Sequence, residues 1–271
     1  MARFDEPSGR SLRVDLERRT PSTARMYDVF LGGKDNFGVD RDAARRVERA
    51  APSIVRAARD NRAFMRRTVT WGVRDVGIDQ VVDIGTGIPT SPNVCEVARR
   101  HNRDAVVVGV DHDPEVLAHD RARLGGLPIL DGDVRNPGLV LADLEQTGLI
   151  AWDRPVLLLL VAVLHFVSDE EDPAGIVAAF VERLAPGSAV VISHVSSTGA
   201  DPRAVAEIED VYAKSTSPGS RFRTHEQIER LFGGLRMVSP GVVQVQHWPV
   251  ERGPVTALPV LGGVGRVTGT L

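Results

Sequence analysis

From Gln80 onward, short apolar runs alternate with segments whose apolar residues recur every three or four positions. Val81-Val82-Asp83-Ile84 forms the first run, and residues 105–110, 127–130, 155–163 and 188–193 form four more. Runs this short, closed by Gly, Asp or His, predict buried strands of a parallel sheet. Between them, helical spacing predicts helices over about 92–101, 114–124, 137–146 and 172–184. In the first of these, Thr90 or Ser91 would be the cap and Pro92 the opening residue. Strand and helix in strict alternation imply an α/β fold with helices on both faces of the sheet. Helices over about 201–214 and 224–232 follow, and two last runs, 235–245 and 256–261, read as an antiparallel hairpin.

Before Gln80 the period is helical throughout. A helix is expected over 21–30, with Thr20 as its cap and Pro21 in its first turn. The polar, glycine-rich stretch Leu31-Gly32-Gly33-Lys34-Asp35-Asn36-Phe37-Gly38 ends it. Further helices are expected over about 40–51 and 53–75, the second with Val55, Ala58, Met65 and Val69 on one face. The organisation is therefore an irregular leader (1–20), an N-terminal helical cap (21–79) and an α/β domain (80–271).

Composition narrows the partners. The formal net charge is only -3, and the arginines near the start are interleaved with acids, so no nucleic acid partner is expected. Cys95 is the single cysteine, which excludes an internal disulfide and suits a cytoplasmic home. The first residues lack the apolar core of a signal peptide. The longest apolar run, 155–167, is shorter than the roughly 20 residues of a membrane span. No cluster of His, Cys and carboxylates has metal-ligand spacing, so no metal is expected.

The chemistry gathers at the strand ends, where an open α/β sheet binds its ligand. After the first strand stand Asp83, Gly85, Thr86 and Gly87; after the second, Asp111 and His112; after the third, Asp133 and Val134. Gly85 and Gly87 let the backbone turn tightly and approach a ligand. An acid at the end of the second strand is placed to accept from both ribose hydroxyls. Asp133 can accept from an exocyclic amine of adenine, with Val134 offering an apolar face; Asp131 is its rival if the strand boundary slips. A dinucleotide site wants G-x-G-x-x-G, but Thr90 stands where the third glycine belongs. Instead an acid precedes the glycines, which suits a ligand carrying an ammonium and a sulfonium rather than a pyrophosphate.

This D-x-G-x-G arrangement resembles the first motif of class I S-adenosylmethionine-dependent methyltransferases. The stretch Thr20-Pro21-Ser22-Thr23-Ala24-Arg25-Met26-Tyr27-Asp28-Val29-Phe30-Leu31-Gly32-Gly33-Lys34-Asp35-Asn36-Phe37 resembles the opening signature of an actinobacterial S-adenosyl methyltransferase family first catalogued as a domain of unknown function. Asn61-Arg62-Ala63-Phe64-Met65-Arg66-Arg67, Val163-Leu164-His165-Phe166-Val167 and Gly262-Gly263-Val264-Gly265-Arg266 resemble its later blocks. The likeness spans about 20–266; beyond Arg266 the basic tail of the pattern is missing, which bears on the edge of the last strand. It implies a Rossmann-like, seven-stranded, mostly parallel sheet with an N-terminal helical cap, S-adenosylmethionine as donor and S-adenosylhomocysteine as product.

With that ligand in place, the residues themselves suggest further roles. The 32–37 loop is expected to fold over the cofactor, with Tyr27, Gly33 and Asn36 reaching it, and to form the acceptor side of the pocket. Arg25 and Arg62 have forked donors suited to the cofactor carboxylate, and Arg62 has pairing with a nearby helix acid as a plainer role. His165 and His194, after strands four and five, and Tyr27 are the candidates for a catalytic group, a His being able to act as base near neutral pH. His165 also has a plain packing role open to it beside Leu164 and Phe166. The first functional reading is methyl transfer to a small molecule. A non-catalytic cofactor-binding sensor is a second, and a nicotinamide-dependent oxidoreductase a third, disfavoured by the absent glycine.

Overall fold

The computed structural model describes residues 19–123, 128–217, 219–250 and 253–269. The expected leader lies outside them but for its last two residues, as do the ends of the predicted fifth helix and third strand at Leu124 and Leu127. Five parallel strands carry the sheet: β1 (Gln80–Ile84), β2 (Val106–Asp111), β3 (Ile129–Asp131), β4 (Leu157–Val161) and β5 (Ala189–Val195). β6 (Arg236–Met237) and β7 (Val243–Gln244) both pair antiparallel with β8 (Val260–Arg266), which lies against β5. The order is β3-β2-β1-β4-β5-β8-β6, with β7 also on β8.

Among the described residues eight strands stand where seven were expected, because the run 235–245 is broken. Ser239-Pro240-Gly241 interrupts it, Gly241 taking a left-handed φ of 89° and its N–H closing a turn onto the Val238 carbonyl. Proline has no amide to give a ladder, so pairing resumes only at β7. β8 also runs further than predicted, since Gly262 and Gly263 did not read as strand residues. Here Gly262 is needed for close packing: a Cβ on it would lie 2.8 Å from the ring of Phe64.

Side chains alternate across the sheet as the pleat requires. Val82, Ile84, Leu158, Leu160, Val190 and Ile192 face one core, and Val81, Leu157, Leu159, Ala189 and Val191 face the other. The first is covered by α6 (Pro137–Thr147), α7 (Pro173–Arg183) and α9 (His225–Arg230), the second by α3 (Ile54–Thr70), its π-helical extension Trp71–Asp75 and α4 (Val94–His101). The four leucines 157 to 160 are at most 2 % exposed, each worth roughly 2 kcal/mol of burial.

Helices α1 (Thr23–Leu31) and α2 (Gly38–Ala50) make a third cluster with α3 and α8 (Pro202–Ala213), through Met26, Phe30, Val47, Ala58, Ile208 and Tyr212. α3 thus faces both ways: Phe64, Met65 and Val69 pack on the sheet, Ala58 on the other cap helices. Two predicted caps move. Ser22, not Thr20, caps α1 by accepting from the Arg25 N–H. Asn93 caps α4 with Glu96 in a reciprocal pair, which satisfies two amides where Thr90 or Ser91 would satisfy one. Among the described residues no helix is long and apolar enough to cross a membrane.

Candidate functional site

The strand order reverses between β1 and β4, which opens a crevice at the carboxyl ends of the strands. A cavity of about 180 Å³ lies there, bounded by the β1–α4 turn, the ends of β2 to β5, and the cap helices α1 and α3. Gly85 (φ 76°) and Gly87 (φ 62°) are both left-handed, as the turn requires. A Cβ on Gly85 would lie 2.8 Å from Val163, whereas one on Gly87 would meet nothing within 4 Å. The turn is tied to its neighbour strand: Gly85 N–H donates to the Val110 carbonyl and Gly87 N–H to Asp111 Oδ2, at 2.8 and 2.9 Å.

Asp111 is buried, yet Gly87 N–H and Asp113 N–H occupy only one lone pair on each of its oxygens. Burial raises its pKa, and the two amides oppose that. Both oxygens remain able to accept from a diol. His112 also lines the cavity, its Nε2 3.4 Å from Ser217 Oγ, as do Gly132, Val134 and Arg135. Thr86 donates to Asp120 beneath the turn. Asp83 lines the cavity, as does Arg62; burial pushes the Asp83 pKa up to about 7, with Arg62 opposing and Asp120 and Asp111 adding to the rise. Asp120 is likewise raised by burial to about 6. Arg62 is lowered by its own burial and donates to the carbonyls of Thr90 and Pro92, so it locks the far side of the glycine turn.

The corner after β4 forms the opposite wall. Ala162 there holds a left-handed φ of 57°, its N–H shared between the carbonyl and hydroxyl of Ser193. Such a conformation costs a non-glycine residue of order 1 kcal/mol and marks sites that need an exact backbone path. His165 lines the cavity, and burial holds its pKa well below the usual value, so its imidazole is neutral. Its Nδ1 is buried without a hydrogen-bond partner. Tyr27 lines the cavity from α1; its hydroxyl donates to the Ala58 carbonyl and accepts from Asn61 Nδ2. Burial raises its pKa, so it is a neutral phenol.

Several expected site residues are engaged elsewhere. His194 is fully buried, does not line the cavity, and has Nε2 2.8 Å from Arg223 and Nδ1 against the Val195 carbonyl. Burial drives its pKa down to about 3, so it is a structural acceptor for Arg223, not a base. Arg25 is 2 % exposed and its guanidinium is taken by Asp40, Glu115 and the Thr20 carbonyl, so it holds α1 to α2 and to the start of α5 (Pro114–Arg123) rather than a ligand carboxylate. Asp133 lies off the cavity in an ion pair with Arg135, and Asp131 is exposed. Gly33 and Asn36 do not line the cavity either. The loop wraps Asp28 instead: Asp28 Oδ2 accepts from Asp35 N–H and Asn36 Nδ2, and a Cβ on Gly33 would collide with that carboxylate.

Three contributors escaped the sequence. Arg223 reaches from beyond α8 to bond the carbonyls of Leu164 and Val167, Asp169 and His194, and so holds the corner that carries His165. Arg135 joins the loop after β3 to the same corner through the Phe166 carbonyl. Asn61 is 3 % exposed, lines the cavity, and leaves Oδ1 without a partner. Only Asn61 carried a hint, as part of the Asn61-Arg62 block.

The strand order, the acid-preceded glycine turn and the carboxylate closing β2 define a class I methyltransferase architecture. The left-handed Gly87 with open space where a side chain would stand, and the buried Asp111, fit an adenosyl ligand; no pyrophosphate-binding third glycine is present. The chain belongs to the S-adenosyl methyltransferase family, whose model matches residues 9–268. It is similar to a DUF574 family protein from Streptomyces avermitilis, at 35% identity and TM-score 0.86 over 93% of this chain and 99% of that one. It is similar also to a protein from Thermobifida fusca provisionally described as a methyltransferase, at 34% identity and TM-score 0.85 over 94% and 98% of the two chains. A plantazolicin methyltransferase solved with S-adenosylhomocysteine shares the fold alone, at 11% identity and TM-score 0.51 over 93% of this chain and 98% of that one. No curated protein matches the chain. The protein is an S-adenosylmethionine-dependent methyltransferase.

Proposed function

We propose that this enzyme acts in the cytoplasm and methylates a small molecule seated between the glycine turn and the helical cap. The observation that carries the reading is a single cavity reaching from Gly85 and Gly87 to an apolar chamber walled by α1, α3 and the β4 corner. S-adenosylmethionine supplies a methyl group already activated by its sulfonium. Gly85, Thr86 and Gly87 cradle the cofactor, Asp111 takes the ribose hydroxyls, and Val134 with Gly132 and His112 borders the adenine. Asp83, with Arg62 beside it, meets the ammonium end. The helices of residues 21–79 supply the wall against which the acceptor rests, Tyr27 among them.

What the protein contributes to rate is alignment and exclusion of water, which can be worth several powers of ten. His165 lines the cavity at the corner. Its depressed pKa makes it a weak base, suited to orienting an acceptor proton more than to removing it. The test is turnover of methyl-labelled S-adenosylmethionine against a cell extract split by size. Label is expected in the low-mass fraction; label confined to protein or nucleic acid would overturn the small-molecule reading.

A further inference from the structure

We infer that the acceptor is a mainly apolar molecule, not an anion, whose own O–H or N–H is received by Asn61 Oδ1. The inference rests on the methyltransferase reading above and deepens it. Beyond the glycine turn the chamber wall is apolar: Phe30, Leu31, Ile54, Met65, Phe166 and Val260 line it.

The arginines along the cavity already have partners, and its acids are held by neutral donors. Asp28 accepts from Asp35 N–H and Asn36 Nδ2, Asp113 from Ser22 Oγ and Glu115 N–H, and Arg135 is paired with Asp133 and Glu171. Arg62 donates to two carbonyls and interacts with Asp83 at the turn. An anionic acceptor would therefore have to give up its hydration without gaining a free counter-ion, which is costly.

The hydrogen-bond chain fixes which atom of Asn61 is left over. The Ala58 carbonyl can only accept, so the Tyr27 hydroxyl, 3.1 Å away, donates to it. Tyr27 then faces Asn61 as an acceptor, also at 3.1 Å, and only the Asn61 amide N–H can fill that role. The amide cannot turn over without breaking the chain, and Oδ1 is the atom without a partner on a side chain 3 % exposed. A buried acceptor left empty is costly, and a site of this kind rejects analogues that lack the matching donor.

The test uses the full chain saturated with S-adenosylhomocysteine, whose own binding is titrated first. Four probes of one shape are then titrated: naphthol, methoxynaphthalene, naphthoate and naphthylmethylammonium. Naphthol is expected to bind at least about tenfold more tightly than methoxynaphthalene and naphthoate. Asn61→Leu should bring naphthol down to the level of methoxynaphthalene, and Tyr27→Phe, which frees the amide to turn, should narrow the gap. Equal binding of naphthol and methoxynaphthalene, or no binding of any probe, would overturn the inference. So would preference for the ammonium probe, which would make Asp28 the anchor, or for naphthoate. A loss of S-adenosylhomocysteine affinity in Asn61→Leu as large as the loss for naphthol would assign Asn61 to the cofactor and overturn it too. Failure of the wild-type protein to bind S-adenosylhomocysteine would defeat the underlying reading, and the first titration separates that case. The four-probe comparison on the wild-type protein stands even if a variant does not fold.

Discussion

Alanine at Gly85 and at Gly87 should injure the protein in different ways, although the residues are two positions apart. Both have left-handed φ, at 76° and 62°, so either substitution costs about 1–2 kcal/mol in backbone strain. At Gly85 the new methyl would also stand 2.8 Å from Val163 Cγ2 and 3.0 Å from its Cβ. A β-branched side chain cannot swing clear, and its Cβ moves only with the backbone of the β4 corner. Overpacking of that kind adds about 1–3 kcal/mol, for a total near 2–5 kcal/mol. At Gly87 the methyl meets nothing within 4 Å and projects into space assigned to the cofactor. Urea unfolding should therefore show a larger loss for Gly85→Ala, and titration with S-adenosylhomocysteine a loss of more than about tenfold for a well-folded Gly87→Ala. Equal destabilisation would refute the packing argument. Unchanged affinity in Gly87→Ala would refute the cradle.

The remaining predictions concern charge and the corner. Asp83, raised by burial to about 7 among Arg62, Asp120 and Asp111, keeps in the native state a proton that the unfolded chain has released above about pH 4. Its stabilisation is thus present at low pH and lost as pH rises through about 7, and Asp83→Asn should flatten that slope in urea titrations of the ligand-free protein. The cationic cofactor favours the ionised carboxylate, so affinity for S-adenosylmethionine should rise from about pH 5.5 to about pH 7.5; a flat profile would contradict the pairing. Arg223→Ala, which removes donors from the Val167 and Leu164 carbonyls and from His194, should cost about 2–5 kcal/mol in the same unfolding assay. Asp169→Ala should cost about 1 kcal/mol or less, because that partner is 64% exposed and water replaces it.

The parts of the fold that local chemistry dictates were legible in the chain. Apolar runs gave all five parallel strands, and the glycines at 85 and 87 announced a turn with positive φ. The family resemblance supplied the cofactor. What stayed hidden depends on partners distant in sequence. Nothing near Arg25 says that Asp40 and Glu115, the latter 90 residues on, will consume its donors. His194 looked free because Arg223 lies 29 residues later, beyond α8. Asp133 lost its place at the pocket to an arginine two positions away, whose reach to the Phe166 carbonyl no periodicity reveals. The 32–37 loop reads as polar, and its donors turn inward to Asp28.

The central claim is that the turn at Asp83 to Gly87 and the carboxylate of Asp111 form a sulfonium-nucleoside site. Isothermal calorimetry of the wild-type chain and of Asp111→Ala, with S-adenosylhomocysteine and with NAD, tests it most directly. The account predicts binding of S-adenosylhomocysteine, none of NAD, and an affinity at least about tenfold weaker in Asp111→Ala, about 1.4 kcal/mol. Binding of NAD in place of the sulfur nucleoside, or equal affinity in the variant, would contradict it.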